Sequence, residues 1–307
     1  MSGGGSLKGV MLFGLVLLTC TSVTGCGDGG GSSENKELKV GVATGWDENA
    51  VVANLTKQLL EEELGCGAVE LQEPELGLVF QCVGDGELDT FQDVWLPNHQ
   101  AQLEEAEGDG VLLDPWYEGE TEFGIAVPAY MDATSIPDLN GTNVDQILGI
   151  EPGAVIMEQI LNETIPIYGG LRQELVELST PGMLSQVEEL SGNQEEFAFV
   201  AWKPHWMNAK YDFKYLEDPE DGLTDLNDGA TISSIVNEDL PNDDPVAHAF
   251  LGCVSLTEEQ VNEIEAINPD DYAAAVSTWL ENQKNREAVQ PCIDAAENVL
   301  IRDPRSV

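Results

Sequence analysis

The chain has 307 residues, of which 57 are acidic and 12 basic, for a formal net charge of −45 at pH 7. Such a surface repels nucleic acid and anionic membrane patches, and its self-repulsion is screened in concentrated salt, where the Debye length falls to about 3 Å at 1 M. The length suits two modest domains better than one large one.

Residues 1–25 read as a signal segment: Lys8 is a weak positive start, Val10 to Leu18 are apolar, and Val-Thr-Gly-Cys (Val23 to Cys26) is a small-residue cleavage site. A signal ending on cysteine resembles that of lipoproteins, which implies a lipid on Cys26 and a flexible tether over 26–37. The folded part is then expected outside the cytoplasm, lipid-anchored to the cell membrane, where disulfides persist. Cys66, Cys82, Cys253 and Cys292 allow three pairings. Closeness in sequence favours Cys66 with Cys82, leaving Cys253 with Cys292. No pair has CxxC spacing and no histidine is near, so no metal site is expected.

Behind the tether, Glu37 to Ala43 alternates into a first strand, the glycine of TGWDEN breaks it, and Asn49 to Leu64 has apolar residues at helical spacing. Asp47 and Glu48 fall in the entry turn of that helix, where negative charge is favoured. Ala68 to Glu73 reads as a strand, Leu76 to Glu87 as a helix and Phe91 to Pro97 as a strand stopped by proline. Glu122 to Met131 is a strong apolar strand and the expected crossing into a second lobe. Gln146 to Glu163 repeats strand, turn and helix, Gly182 to Leu190 is helical, and Glu195 to Pro204 is a strand running into WKPHW. Amphipathic stretches close the chain. This is an α/β plan of two lobes with a cleft between them: 38–125 with 226–307, and 126–225.

Trp46, Trp95 and Trp202 each end a strand, the place where open α/β sheets bind ligands. Several ring faces arranged as a cage attract a cation that donates no hydrogen bonds. Trp116 and Trp279 read as packing residues. No GxSxG or HExxH motif supports catalysis, so the chain is not expected to be an enzyme.

The run FVAWKPHWMNAKYDFKYLEDP (Phe199 to Pro219) resembles the glycine betaine-binding proteins of osmoprotectant ABC importers, as do DVWLP (Asp93 to Pro97), GIEPGA (Gly149 to Ala154) and PGMLSQV (Pro181 to Val187). The resemblance covers roughly Leu38 to Cys292. It implies a two-lobed class II periplasmic-binding-protein fold that works without a cofactor as a monomer and delivers a quaternary ammonium ligand to a membrane permease. It implies that Trp46, Trp95 and Trp202 form the cage, with Phe123 where the choline-binding branch has a tyrosine. Val155 stands where relatives often carry glycine.

A betaine also carries a carboxylate, which suits free amides at a helix N-terminus; those of Glu48 and Asn49 are expected to serve. Asp47 and Glu48 must then turn their own carboxylates away; an inward carboxylate would favour choline, whose hydroxyl can donate to it. His205 has two readings, a second contact to the ligand carboxylate or a structural histidine. Trp206 is expected to pack behind Trp202. Lys203, Lys210 and Lys214 either offset the negative field near the ligand or pair locally with Asp212, Glu217 and Asp218.

Overall fold

The alternation of Glu37 to Ala43 becomes β1 (Leu38–Gly41), the start of a parallel sheet in the computed structural model, which describes residues 37–105, 110–223 and 230–302. The expected signal segment, Cys26 and the tether up to residue 36 lie outside the described residues. Gly45 makes the turn after β1 with a φ of +86°, a conformation that costs glycine little. Helix α1 (Asp47–Gln58) follows, burying Val51, Val52 and Leu55 against the sheet, and runs on as one π-helical turn over Leu59–Glu63.

The chain continues through β2 (Val69–Gln72), α2 (Val79–Gly84), β3 (Thr90–Leu96), α3 (Gln100–Glu105), β4 (Gly110–Pro115) and the short β5 (Tyr117–Glu118). The second region holds β6 (Glu122–Pro128), β7 (Gln146–Leu148), α4 (Val155–Gln159), α5 (Ile165–Ile167), β8 (Glu174–Val176), α6 (Thr180–Asn193), β9 (Ala198–Lys203), α7 (Met207–Lys210) and β10 (Phe213–Tyr215). It returns through β11 (Thr231–Asn237), α8 (Leu240–Asp243), α9 (Pro245–Leu251), β12 (Leu256–Thr257), α10 (Glu258–Ile267), α11 (Tyr272–Leu280) and α12 (Gln283–Arg302). The last amphipathic stretch breaks between α11 and α12, where the Asn282 side chain accepts the N–H of Lys284 at 3.0 Å and starts a new helix.

Two five-stranded sheets share one plan. The first has the order β2-β1-β3-β11-β4 and the second β8-β7-β9-β6-β10. In each, three strands consecutive in the chain, β1 to β3 in the first sheet and β7 to β9 in the second, are parallel, and the antiparallel neighbour of the last of them is the strand that arrives from the other region. This exchange of β6 and β11 gives the two-lobed α/β architecture of class II periplasmic binding proteins. β6 (Glu122–Pro128) pairs wholly within the second sheet.

Cys253 and Cys292 form a disulfide that ties the end of α9 to α12, with their Cα atoms 5.3 Å apart. The expected Cys66–Cys82 bridge is absent and both thiols are free. The reason is topological. Cys66 closes the turn after α1, beside Asp244, and leads into edge strand β2; the chain then crosses β1, and α2 carries Cys82 over β3 and β11 next to Glu87.

Candidate functional site

Trp46 immediately precedes α1, at the carboxyl end of β1. Its turn is fixed by Asn49, whose Oδ1 accepts the Ala43 N–H at 2.7 Å. Trp95 stands near the end of β3 and Trp202 near the end of β9, the third strands of the two sheets. Phe123, on β6, pairs in register with Trp202. These four rings and Glu48 line one cavity between the sheets. Trp95 meets Phe123 edge to face, with centroids 6.3 Å apart, and Trp46 lies parallel to the His99 ring at 6.4 Å. The result is an aromatic cage with walls from both lobes.

The cage rings are held at their edges. Trp202 Nε1 donates to Glu48 Oε1 at 3.0 Å, and Trp95 Nε1 donates to Asp93 Oδ1 at 2.9 Å. Asp93 is fully buried on β3. The second oxygen of each acid, Glu48 Oε2 and Asp93 Oδ2, is buried without a hydrogen-bond partner. Among the described residues no lysine or arginine lies within ion-pair distance of either carboxyl. Burial therefore raises both pKa values, that of Asp93 to about 8; the neighbouring charge of Asp93 raises Glu48 further. Glu48 itself lines the cavity, with its carboxyl held against the Trp202 indole.

The other residues singled out in the sequence lie behind this wall. His205 is buried; its Nδ1 accepts the Met207 N–H at 3.1 Å, its Nε2 is 3.3 Å from Asp47 Oδ2, and its ring packs edge-on against Trp202 at 4.8 Å. Burial lowers its pKa to about 3, so the ring is neutral. It does not line the cavity, nor does Asn49. Trp206 packs on His205 and donates its indole N–H to Asp47, whose pKa burial raises to about 6. The lysines find partners other than the expected ones. Lys203 pairs with Glu258 across the lobes at 3.0 Å, Lys210 with Glu188, and Lys214 Nζ donates to the Met131 carbonyl.

Sequence reasoning missed Asp93, Asn98 and His99. Trp95-Leu-Pro-Asn-His99 repeats the Trp-x-Pro-His spacing of Trp202 to His205 with one insertion, and that parallel was the available signal. His99, like His205, accepts a backbone N–H on Nδ1, here from Trp95 at 3.0 Å, and burial lowers its pKa to about 4.

Residues 36–282 match the family described as the substrate-binding domain of ABC-type glycine betaine transport systems. The crystal structure of lactococcal OpuAC in a closed, liganded conformation with glycine betaine superposes with a TM-score of 0.76 at 27% identity, covering 84% of this chain and 99% of that one. A glycine betaine/L-proline-binding protein from Borrelia burgdorferi has the same fold, with a TM-score of 0.73 at 23% identity, 85% of this chain and all of that one being covered. The glycine betaine/carnitine transport binding protein GbuC of Listeria monocytogenes is 28% identical over 159 residues, half of either chain, so the match spans about half the length of that curated relative. The chain belongs to the family of substrate-binding domains of ABC-type glycine betaine transport systems.

Proposed function

We propose that the protein captures glycine betaine or a close quaternary ammonium relative outside the cell membrane and delivers it to the permease of an ABC importer. The observation that carries this reading is the convergence of Trp46, Trp95, Phe123 and Trp202 on one cavity, with the carboxyls of Glu48 and Asp93 bound to two of those rings. Ring faces and buried acids both favour a cation, each good ring contact contributing about 0.5–2 kcal/mol. A primary ammonium is disfavoured because its N–H groups find few acceptors among the rings. The ligand carboxylate is assigned to the N-terminal end of α1 at Glu48, the first-turn residue that lines the cavity, where the helix dipole favours negative charge; Asn49 shapes that turn from behind. His205 braces Trp202 in this reading. Closure brings β9 and α1 together through the Trp202–Glu48 bond and excludes water.

Glu48 favours a second reading. Its free oxygen can accept the hydroxyl of choline. Proline betaine fits the same cage chemistry through its quaternary nitrogen. An enzyme acting on these amines would need a nucleophile or base aimed into the cage. Capture requires none, and membership of a binding-protein family favours capture. We assign Cys26 as the lipid anchor, 26–37 as its tether, a monomer as the working unit, and a salt-rich exterior as the setting that screens the charge of −45.

Titration with glycine, dimethylglycine, glycine betaine, choline and proline betaine, followed by tryptophan fluorescence, tests the reading. Affinity should climb at least tenfold between dimethylglycine and glycine betaine; equal affinity for all members of the series would refute the cage.

A further inference from the structure

Glu48 touches three things at once: the cavity, the Trp202 indole and the field of a second buried acid. One oxygen holds Trp202 at 3.0 Å and the other is buried without a partner. Asp93 on β3 is arranged in the same way behind Trp95. Around them, Asp47 on α1 and Glu265 on α10 add negative charge, and Tyr117 and Tyr272 lie within the same field. Lys203, at the end of β9, is engaged by Glu258. The two carboxyls are thus linked by repulsion, and among the described residues no lysine or arginine lies within ion-pair distance of either.

We propose that Glu48 sets ligand preference through its protonation: neutral, it donates a hydrogen bond to a quaternary ammonium carboxylate, and ionised, it accepts one from a quaternary ammonium alcohol. This inference rests on the quaternary ammonium reading of the cage. The two ligand classes present the same trimethylammonium head to the rings and differ only at the other end. That end meets a group able to reverse its donor and acceptor roles. A net cationic alcohol also stabilises the ionised acid by charge, so its binding expels a proton. A zwitterionic betaine presents its own carboxylate to Glu48 and retains the proton. The preference for alcohol over betaine therefore rises with pH. His99 and His205 are already neutral above pH 6, since burial lowers them to about 4 and about 3, so neither supplies the effect. Asp47, raised to about 6, contributes only at the acid end.

The test is calorimetric titration of the full chain with choline and with glycine betaine between pH 6 and 9, in buffers of differing ionisation enthalpy. The expected result is a choline-to-betaine affinity ratio that rises at least tenfold across the range, with proton release on choline binding. Glu48→Gln keeps an acceptor for Trp202 and should flatten the ratio. Asp93→Asn removes the neighbouring negative charge and should move the midpoint to lower pH. A wild-type ratio constant within twofold, or one whose pH dependence survives Glu48→Gln, overturns the inference while leaving the cage intact. If neither ligand binds at any pH, the quaternary ammonium reading falls and takes this inference with it.

Discussion

Trp95 and Trp202 can show their faces to a ligand because their edges are tied down, each by one carboxyl oxygen. Truncating Trp202 to alanine removes a cage wall and releases Glu48, and should lower glycine betaine affinity at least tenfold by calorimetry. The buried acids also cost stability. Asp93 ionises near its ordinary pKa when unfolded but only near pH 8 when folded, so the folded state holds the extra proton; its stabilising contribution is full below about pH 4 and is lost as pH rises towards 8. Asp93→Asn keeps an acceptor for Trp95 and should raise the unfolding free energy measured by urea titration at pH 7.5 by at least about 1.4 kcal/mol, the scale of a tenfold change in protonation. The histidines act in the opposite sense. His99 and His205 have folded pKa values depressed to about 4 and about 3, so the stability they contribute is complete above pH 6.5 and declines as pH falls below it. The tryptophans were legible in the sequence because strand ends are marked by the proline or helix that follows. The direction of the Glu48 side chain was not, since it depends on an indole 154 residues away, on the other lobe.

At the level of elements, the turn after β1 decides how closely the lobes approach. A Cβ on Gly45 would sit 2.8 Å from Thr180 Cβ and 3.1 Å from Pro181 Cδ, at the start of α6 in the other lobe. Gly45→Ala should hold the lobes apart, both by that clash and by strain at its positive φ, and should weaken ligand binding with a larger radius of gyration in solution scattering. The Cys253–Cys292 bridge closes a separation of 39 residues, for which chain entropy gives about 4 kcal/mol. Cys292→Ser should therefore lower the denaturation midpoint markedly while leaving the cage residues in place. Hydrophobic alternation located β1, β3, β6 and β9, and helical spacing located α1 and α6. Pairing order was not visible in the same way: closeness in sequence pointed to Cys66 with Cys82, whereas the crossover of β1 put them on different parts of the sheet.

On the scale of the whole molecule, two sheets of one plan exchange a strand, and the third strand of each brings a tryptophan to the shared cleft. The family resemblance in WKPHW and DVWLP made this architecture legible, while the strand exchange itself came only with the sheet order. The surplus of acid is also a molecular property. With 57 acidic against 12 basic residues, the thermal midpoint should rise from 0.1 to 2 M potassium chloride as the Debye length shrinks; a midpoint unmoved by salt would separate this surface from any saline setting. The central claim is that the cage takes a quaternary ammonium ligand. Its most direct measurement is calorimetric titration of the folded chain with glycine betaine, choline and proline betaine at neutral pH. Saturable binding of at least one of them with a stoichiometry of one is predicted; no saturable heat with any of the three would contradict it.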